Sequence, residues 1–193
     1  LVDLQFKLGS GVIENLSSAN ARDTNRGDFK AQGYRRELDL SQAIATIDYL
    51  QNGVHFKREI FVSAPDQAIV MRLTAEQPGA LSFEAMLDRP ERFATRASSS
   101  HELLMTGQLN NGTDGHGMKY AGRLRALAQG GSVSTDGNHL KVEGADSVLL
   151  LLTAATDYHG FAGRNTTDPE QATLKDMERA AHKSWDELRQ AHL

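Results

Sequence analysis

A mainly β fold, an antiparallel sandwich with a short helical extension at its C-terminus, is what this sequence predicts, on three observations. Between Tyr34 and Asp88 apolar residues recur at every second position, broken by short turn sequences. That period puts apolar side chains on one face of a sheet and polar ones on the other. From Ser147 to Ala155 the run SVLLLLTAA is almost continuously apolar, as suits a strand buried on both faces in the middle of a sandwich. After Tyr158 the spacing changes to that of helices, introduced by capping residues.

In chain order, Val2, Leu4, Phe6 and Leu8 alternate and predict a strand. Residues 9–33 are rich in Gly, Ser, Asn, Asp and Arg and read as one long loop, unusual within a compact domain. Its DTNRGD stretch (Asp23 to Asp28) departs from a calcium loop, because the glycine and the last acid are swapped and position twelve is Tyr34 instead of Glu. No metal site is expected there.

From Tyr34 to Asp88 the alternation predicts a five-strand meander. Its apolar parities are Leu38 and Leu40; Ala43, Ala45, Ile47 and Tyr49; Val54, Phe56, Ile60 and Val62; Ile69, Met71 and Leu73; and Leu81, Phe83, Ala85 and Leu87. Asn52-Gly53, Pro65-Asp66 and Pro78-Gly79 supply the turns. Arg58 falls on the apolar parity of its strand, where a buried arginine needs a carboxylate or carbonyl partner, and it reads as a structural ion pair or a local bulge.

RPERFATRASSS (Arg89 to Ser100) reads as a polar loop, Leu103 to Leu109 as a strand, and the glycine-rich segment Leu109 to Gly117 as another loop. Lys119 to Leu127 returns as a strand. Ser132 to Thr135 and His139 to Glu143 form a hairpin around Asp136-Gly137-Asn138. Asp168 caps a helix with Pro169 at its first position and Gln171 completing a capping box, and the apolar face of that helix is Leu174, Met177 and Ala181. Ser184 and Glu187 form a second capping box, followed by Trp185, Leu188 and His192 on one face. The predicted division is a β-sandwich over 1–160 and a linker with helices over 161–193.

Composition narrows the function. With a net charge of −4 and 21 basic residues spread along the chain, neither nucleic acid nor an anionic membrane is expected as a partner. The absence of cysteine excludes disulfides and thiol chemistry but does not identify a compartment. No apolar run approaches the roughly 18 residues of a membrane-spanning helix. The chain begins at Leu1, inside an apparent strand, and reads as part of something longer.

The chemistry-bearing residues form no catalytic motif. There are 25 acidic residues, but a glycosidase needs two carboxyl groups held apart by rigid elements, and none here sits in a distinctive pattern. Glu37 and Asp39 in RRELDL, and Glu59, read as strand-surface charges. Nucleophile elbow, His-Glu-x-x-His spacing, P-loop and Gly-x-Gly-x-x-Gly are all absent, and no cofactor is implied. The loop from Asn110 to Tyr120 is the exception. It places amide, carboxylate, imidazole and aromatic groups on a glycine-rich backbone, the groups used to bind sugars. Asp114 and His116 are its candidate substrate-binding residues, although a solvated hairpin loop is the plainer reading. Trp185, the single tryptophan, is expected to pack within the helical face and not to stack on a sugar.

With these residues in view, YRRELDL followed by NGVHFKREIFVSAPDQAIVMRL resembles the N-terminal β-sandwich of glycoside hydrolase family 95, the inverting α-L-fucosidases. GADSVLLLLTAATDY (Gly144 to Tyr158), DPEQATL (Asp168 to Leu174) and SWDELRQAHL (Ser184 to Leu193) extend the likeness in order and spacing over nearly the whole chain. The resemblance implies an antiparallel β-supersandwich followed, in a longer parent, by an (α/α) barrel. In such a protein the acid and base machinery belongs to the barrel. The two groups of an inverting enzyme stand about 6.5–9.5 Å apart, and none of them is expected among these residues. The family's opening Leu-Pro-Ile-Gly-Asn-Gly run is absent, so the first strands are expected outside this sequence. Implied partners are the helical barrel domain and, through it, a fucosylated glycan; the implied compartment is periplasmic or extracellular.

Three function classes follow. The first is a non-catalytic domain supporting the barrel. The second is a free-standing carbohydrate-binding module. The third is a structural domain that forms a homodimer through the C-terminal helix. The first and third both expect the face of Leu174, Met177, Ala181, Trp185 and Leu188 to lie open for a partner.

Overall fold

The computed structural model describes the backbone of residues 3–8, 13–15, 31–160 and 165–193, and side chains within the last two ranges. Among these residues there are thirteen strands and two helices: β1 (Asp3–Leu8), β2 (Ile13–Asn15), β3 (Gln32–Asp39), β4 (Ile44–Gln51), β5 (Val54–Ser63), β6 (Ala68–Ala75), β7 (Leu81–Asp88), β8 (Phe93–Ser99), β9 (Glu102–Gln108), β10 (Lys119–Gln129), β11 (Ser132–Asp136), β12 (His139–Ala145), β13 (Ser147–Thr156), α1 (Pro169–Ala181) and α2 (Trp185–His192). All strand pairs are antiparallel. One sheet has five strands in the order β11-β12-β7-β1-β2. The other has eight, β3-β4-β5-β6-β13-β10-β9-β8. The mainly β class with a short helical extension is therefore observed.

The meander is shorter than the alternation predicts. β3 to β6 run side by side, but β7 leaves for the five-stranded sheet and pairs with β1 and β12. Period-two alternation says which face of a strand is apolar; it does not say which sheet receives the strand. The crossing is made at Gln77-Pro78-Gly79. There Gly79 adopts φ +73 and donates its N–H to Asp146 Oδ1 at 2.7 Å, tying the corner to the turn before β13.

Two stretches read as loops contain strands. Ile13–Asn15 pairs with β1, and three residues are too few to show a period. Phe93–Ser99 pairs with β9 as the edge of the eight-stranded sheet. Its side chains are mostly exposed on both faces, so it carries no apolar alternation. The DTNRGD stretch lies outside the described residues.

A further correction concerns the faces of β5 and β6. Ile60 and Met71 point inward, toward the five-stranded sheet, in the main core with Leu81, Phe83, Leu124 and Leu150. The opposite parity is buried too. Phe61, Ala68, Val70 and Leu151 form a second core with Met177, Ala180 and Leu188 of the helices. The helices thus cover the outer face of the eight-stranded sheet. β13 lies at its centre, buried from both sides, as its unbroken apolar run requires.

Both helices begin at the predicted caps, but the first capping box is only half formed, because the Asp168 N–H donates to Thr166 Oγ1 at 3.2 Å instead of to the Gln171 side chain. Asp168 Oδ1 accepts from the Gln171 N–H at 3.1 Å, and Ser184 with Glu187 forms a reciprocal capping box. The buried face of α1 is rotated from the expected one, however. Thr173, Asp176, Met177 and Ala180 are buried, whereas Leu174 is only half-buried. The expectation that the helical face lies open is overturned, because Met177 and Leu188 are fully covered by the protein's own sheet. A homodimer built on that exposed face loses its premise.

Ion pairs fix the helices in place. Lys183 Nζ lies 2.6 Å from Asp66 Oδ1 in the β5–β6 turn. Arg179 donates to the Asp66 carbonyl at 3.0 Å and to Asp176 Oδ1 at 2.8 Å. Asp66 is completely buried and also accepts from Ser63 Oγ at 2.8 Å. Two cationic side chains from the helical segment thereby close the turn whose Pro65-Asp66 the sequence marks.

Candidate functional site

The loop between β9 and β10 carries the sequence-predicted site residues, and it is a closed knob. Asn111 organises it. Its Oδ1 accepts the N–H groups of Thr113, Asp114 and Gly115 at 3.0, 3.2 and 3.1 Å, and its Nδ2 donates to Asp114 Oδ1 at 2.7 Å. Asp114 Oδ1 also accepts the His116 N–H at 2.9 Å. The base is clamped by Gly117 N–H to the Leu109 carbonyl at 2.8 Å and by Gln108 Nε2 to the Gly117 carbonyl at 3.0 Å. Arg92 Nη1 reaches across to the Gly115 carbonyl at 3.0 Å. Asp114 and His116 are both exposed. They meet through the His116 backbone, so the carboxylate holds the loop together instead of orienting the imidazole.

Those two hydrogen bonds, first from the His116 N–H and then from Asn111, hold the Asp114 carboxyl below its ordinary pKa. A group with a depressed folded pKa stabilises its structure above the unfolded value and loses that contribution as pH falls through the folded one. The loop is therefore expected to loosen only below the usual aspartate range, under about pH 3.9. Amide chemical shifts of Thr113 to His116 followed from pH 7 to 2 check this. A transition centred above pH 5 would contradict it.

Below the loop runs a groove of about 540 Å³ between the β9–β10 ends and the start of α1. Thr106, Gln108, Lys119, Asp168 and Glu170 contribute its polar groups. Tyr120 sits at its inner edge, its hydroxyl donating to the Arg92 carbonyl at 2.8 Å, with the Arg89 guanidinium 4.9 Å from the ring centroid. Burial raises the Tyr120 pKa, and Arg89 opposes this. Gly107 permits the approach, since a Cβ there would collide with the Tyr120 hydroxyl and the Arg92 carbonyl. Two consecutive strands and the distant start of α1 build this groove, and no local signal announces that α1 joins them.

A second cleft, of about 360 Å³, opens between the sheets and is lined by Tyr49, Phe56, Arg58, Leu73, Leu81 and Phe83 among others. Arg58 is buried as its parity predicts, and it donates to the Tyr49 hydroxyl at 3.1 Å. The other singled-out residues are structural. Glu37 pairs with Arg35 at 2.7 Å, and Glu59 with Lys57 at 3.0 Å. Asp39 accepts from Ser41 and Gln42 to cap the β3–β4 turn, and those bonds lower its pKa. Trp185 packs on Phe61 with ring centroids 5.2 Å apart. Among the described residues no three acids or histidines converge on a point that could hold a metal ion, and no helix is long and apolar enough to cross a membrane.

Residues 16–161 match the family described as glycosyl hydrolase family 65, N-terminal domain. The chain is similar to α-L-fucosidase 2 of Arabidopsis thaliana, at 30% identity over 89% of this chain and 23% of the relative. It is similar also to an Aspergillus niger protein assigned as α-fucosidase A, at 29% identity over 83% of this chain and 21% of that protein. Among solved structures, a human-microbiome protein assigned as a kojibiose phosphorylase superposes with a TM-score of 0.59 at 12% identity. It covers 98% of this chain with 26% of its own, a likeness of fold alone. The chain thus spans about a quarter of the length of the proteins it matches.

Proposed function

Because the chain belongs to the family of glycosyl hydrolase family 65 N-terminal domains, we propose that it is the non-catalytic N-terminal domain of an inverting hydrolase of α-L-fucosides. In this reading it supports an (α/α) barrel that carries the chemistry. The observation that carries the proposal is the pair of fucosidases matched over most of this chain but only 23% and 21% of their own length. The acids singled out in the sequence agree with it. Glu37, Asp39 and Glu59 are bound in turns and ion pairs, which suits architecture better than a pair held for acid and base work.

The test compares the isolated 193-residue chain with the full polypeptide that carries it, on an aryl α-L-fucoside. The expected result is turnover by the full polypeptide alone, with β-L-fucose as the first anomer seen by proton NMR. Turnover by the isolated chain, or none by either, would overturn the proposal; α-L-fucose as first product would overturn the inverting mechanism.

A second reading, favoured by the polar groove beneath the 109–118 loop, makes the chain a sugar-binding module with His116 and Asp114 as contacts. It predicts saturable binding of L-fucose or a fucosylated oligosaccharide by the isolated chain, weakened at least tenfold by His116→Ala. His116 is the sharper probe, because Asp114→Ala also removes the bonds that shape the loop. Calorimetry showing no heat at millimolar sugar would leave the first reading standing alone.

A further inference from the structure

The inner face of the eight-stranded sheet is wider than the five-stranded sheet that covers it. Register shows where the cover ends. Leu38, Ala45, Ile60 and Met71 lie directly opposite one another across β3 to β6, and Met71 belongs to the core between the sheets. Two residues further along β5 and two back along β6, Val62 and Ile69 form the next pair on that same face. Leu152 of β13 stands opposite Ile69. Yet Leu38, Val62 and Ile69 are 59%, 63% and 37% exposed, and Leu40, just beyond β3, is 84% exposed. Ala154, two residues past Leu152, is exposed as well. A row of aliphatic side chains that begins in the core thus runs out from under the second sheet. The two apolar cores that meet this sheet are covered, inside by β7 and β12 and outside by α1 and α2.

We propose that this aliphatic strip of Leu38, Leu40, Val62 and Ile69 is the surface on which the remainder of the larger hydrolase docks. The occupant is an apolar face of the same polypeptide. Two observations point to it. The matched relatives and the superposed structure devote about three quarters of their length to chain outside the region they share with this one. And the helical face that could have served as the contact is already used internally, leaving the strip as the exposed aliphatic surface of the sandwich among the described residues, the kind of patch that marks an interface. This inference rests on the reading of the chain as one domain of a longer enzyme.

Absence of cysteine from these 193 residues makes a direct test available. Val62→Cys and Ile69→Cys are prepared singly, with Ser134→Cys, exposed on β11, as control. Each is made in the 193-residue chain and in the full polypeptide, and maleimide labelling of the peptide bearing the new thiol is timed by mass spectrometry. Labelling at Val62 and Ile69 is expected to slow at least tenfold in the full polypeptide, while Ser134→Cys labels equally in both. Equal rates at all three positions would overturn the proposal. Protection already present in the isolated chain and rising with its concentration would assign the strip to a second copy instead, and would also overturn it. Fucosidase activity without protection refutes the strip alone; protection without activity refutes the substrate and leaves the strip.

Discussion

Replacing Glu102 with alanine is expected to destabilise the protein by about 3–5 kcal/mol, the cost of leaving buried charge without its partner. Glu102 is 2% exposed and opens β9. Its Oε1 lies 2.7 Å from Arg123 Nη1, and its Oε2 lies 2.6 Å from Arg125 Nη2. Arg123 is itself buried, its Nη1 bonded also to Ser98 Oγ at 3.1 Å and its Nε without a partner. One carboxylate therefore serves two guanidinium groups, so truncation strands both. The urea midpoint should fall with the slope unchanged. Replacing Glu102 and Arg123 together by leucine and methionine should cost less than Glu102→Ala alone, since an absent pair leaves less orphaned charge. A loss under about 1 kcal/mol for Glu102→Ala would mean that water reaches the cluster.

Phe61→Ala should have an effect of similar size, about 3–5 kcal/mol for a large buried aromatic, by a different route. Phe61 is the hub on which α2 rests. Trp185 lies against it at 5.2 Å, and His192 stacks on it at 4.6 Å with the rings 23° apart. His192 Nε2 also lies 2.8 Å from the Gln42 carbonyl. Without the ring, both ends of α2 lose their seat on the sheet. Trp185 is the single tryptophan, so fluorescence reports the event locally. The folded variant should emit at longer wavelength than the parent, because its indole gains water. An unchanged emission maximum combined with a large loss of stability would show that α2 stays docked through Leu188 and the Asp66–Lys183 pair.

What could be read in advance follows from the range of each signal. Alternation and turn residues are local, so β4 to β7, the β11–β12 hairpin and both helix starts are legible. Pairing between distant strands is not: nothing near Leu81 says that β7 belongs with β1 and β12. Alternation alone leaves Phe61 and Val70 on the solvent face of a half-buried strand, whereas the helices turn β5 and β6 into strands covered on both faces. Val62 and Ile69, on the counted apolar parity, are exposed for a separate reason: they lie on the inner face beyond the reach of the five-stranded sheet. For the candidate site, the sequence located the loop and its polar groups. It could not show that Gln108 and Glu170 would share a groove, because that meeting depends on tertiary structure; the Asn111–Asp114 bond, by contrast, is local to the loop, of the kind asparagine side chains make in turns.

β13 has a consequence for how fast this architecture assembles. The eight-stranded sheet is made of two local ladders, β3 to β6 and β8 to β10, each closable by short turns. β13 alone joins them, setting Leu150 opposite Met71 on one side and Ala126 on the other. The Met71–Leu150 pairing closes a long stretch of chain before any contact repays the lost entropy. Refolding should accordingly be limited by insertion of this one strand. Substitutions at its seam with β6, such as Leu150→Ala, should then alter the refolding rate more than equally destabilising changes in the β11–β12 hairpin.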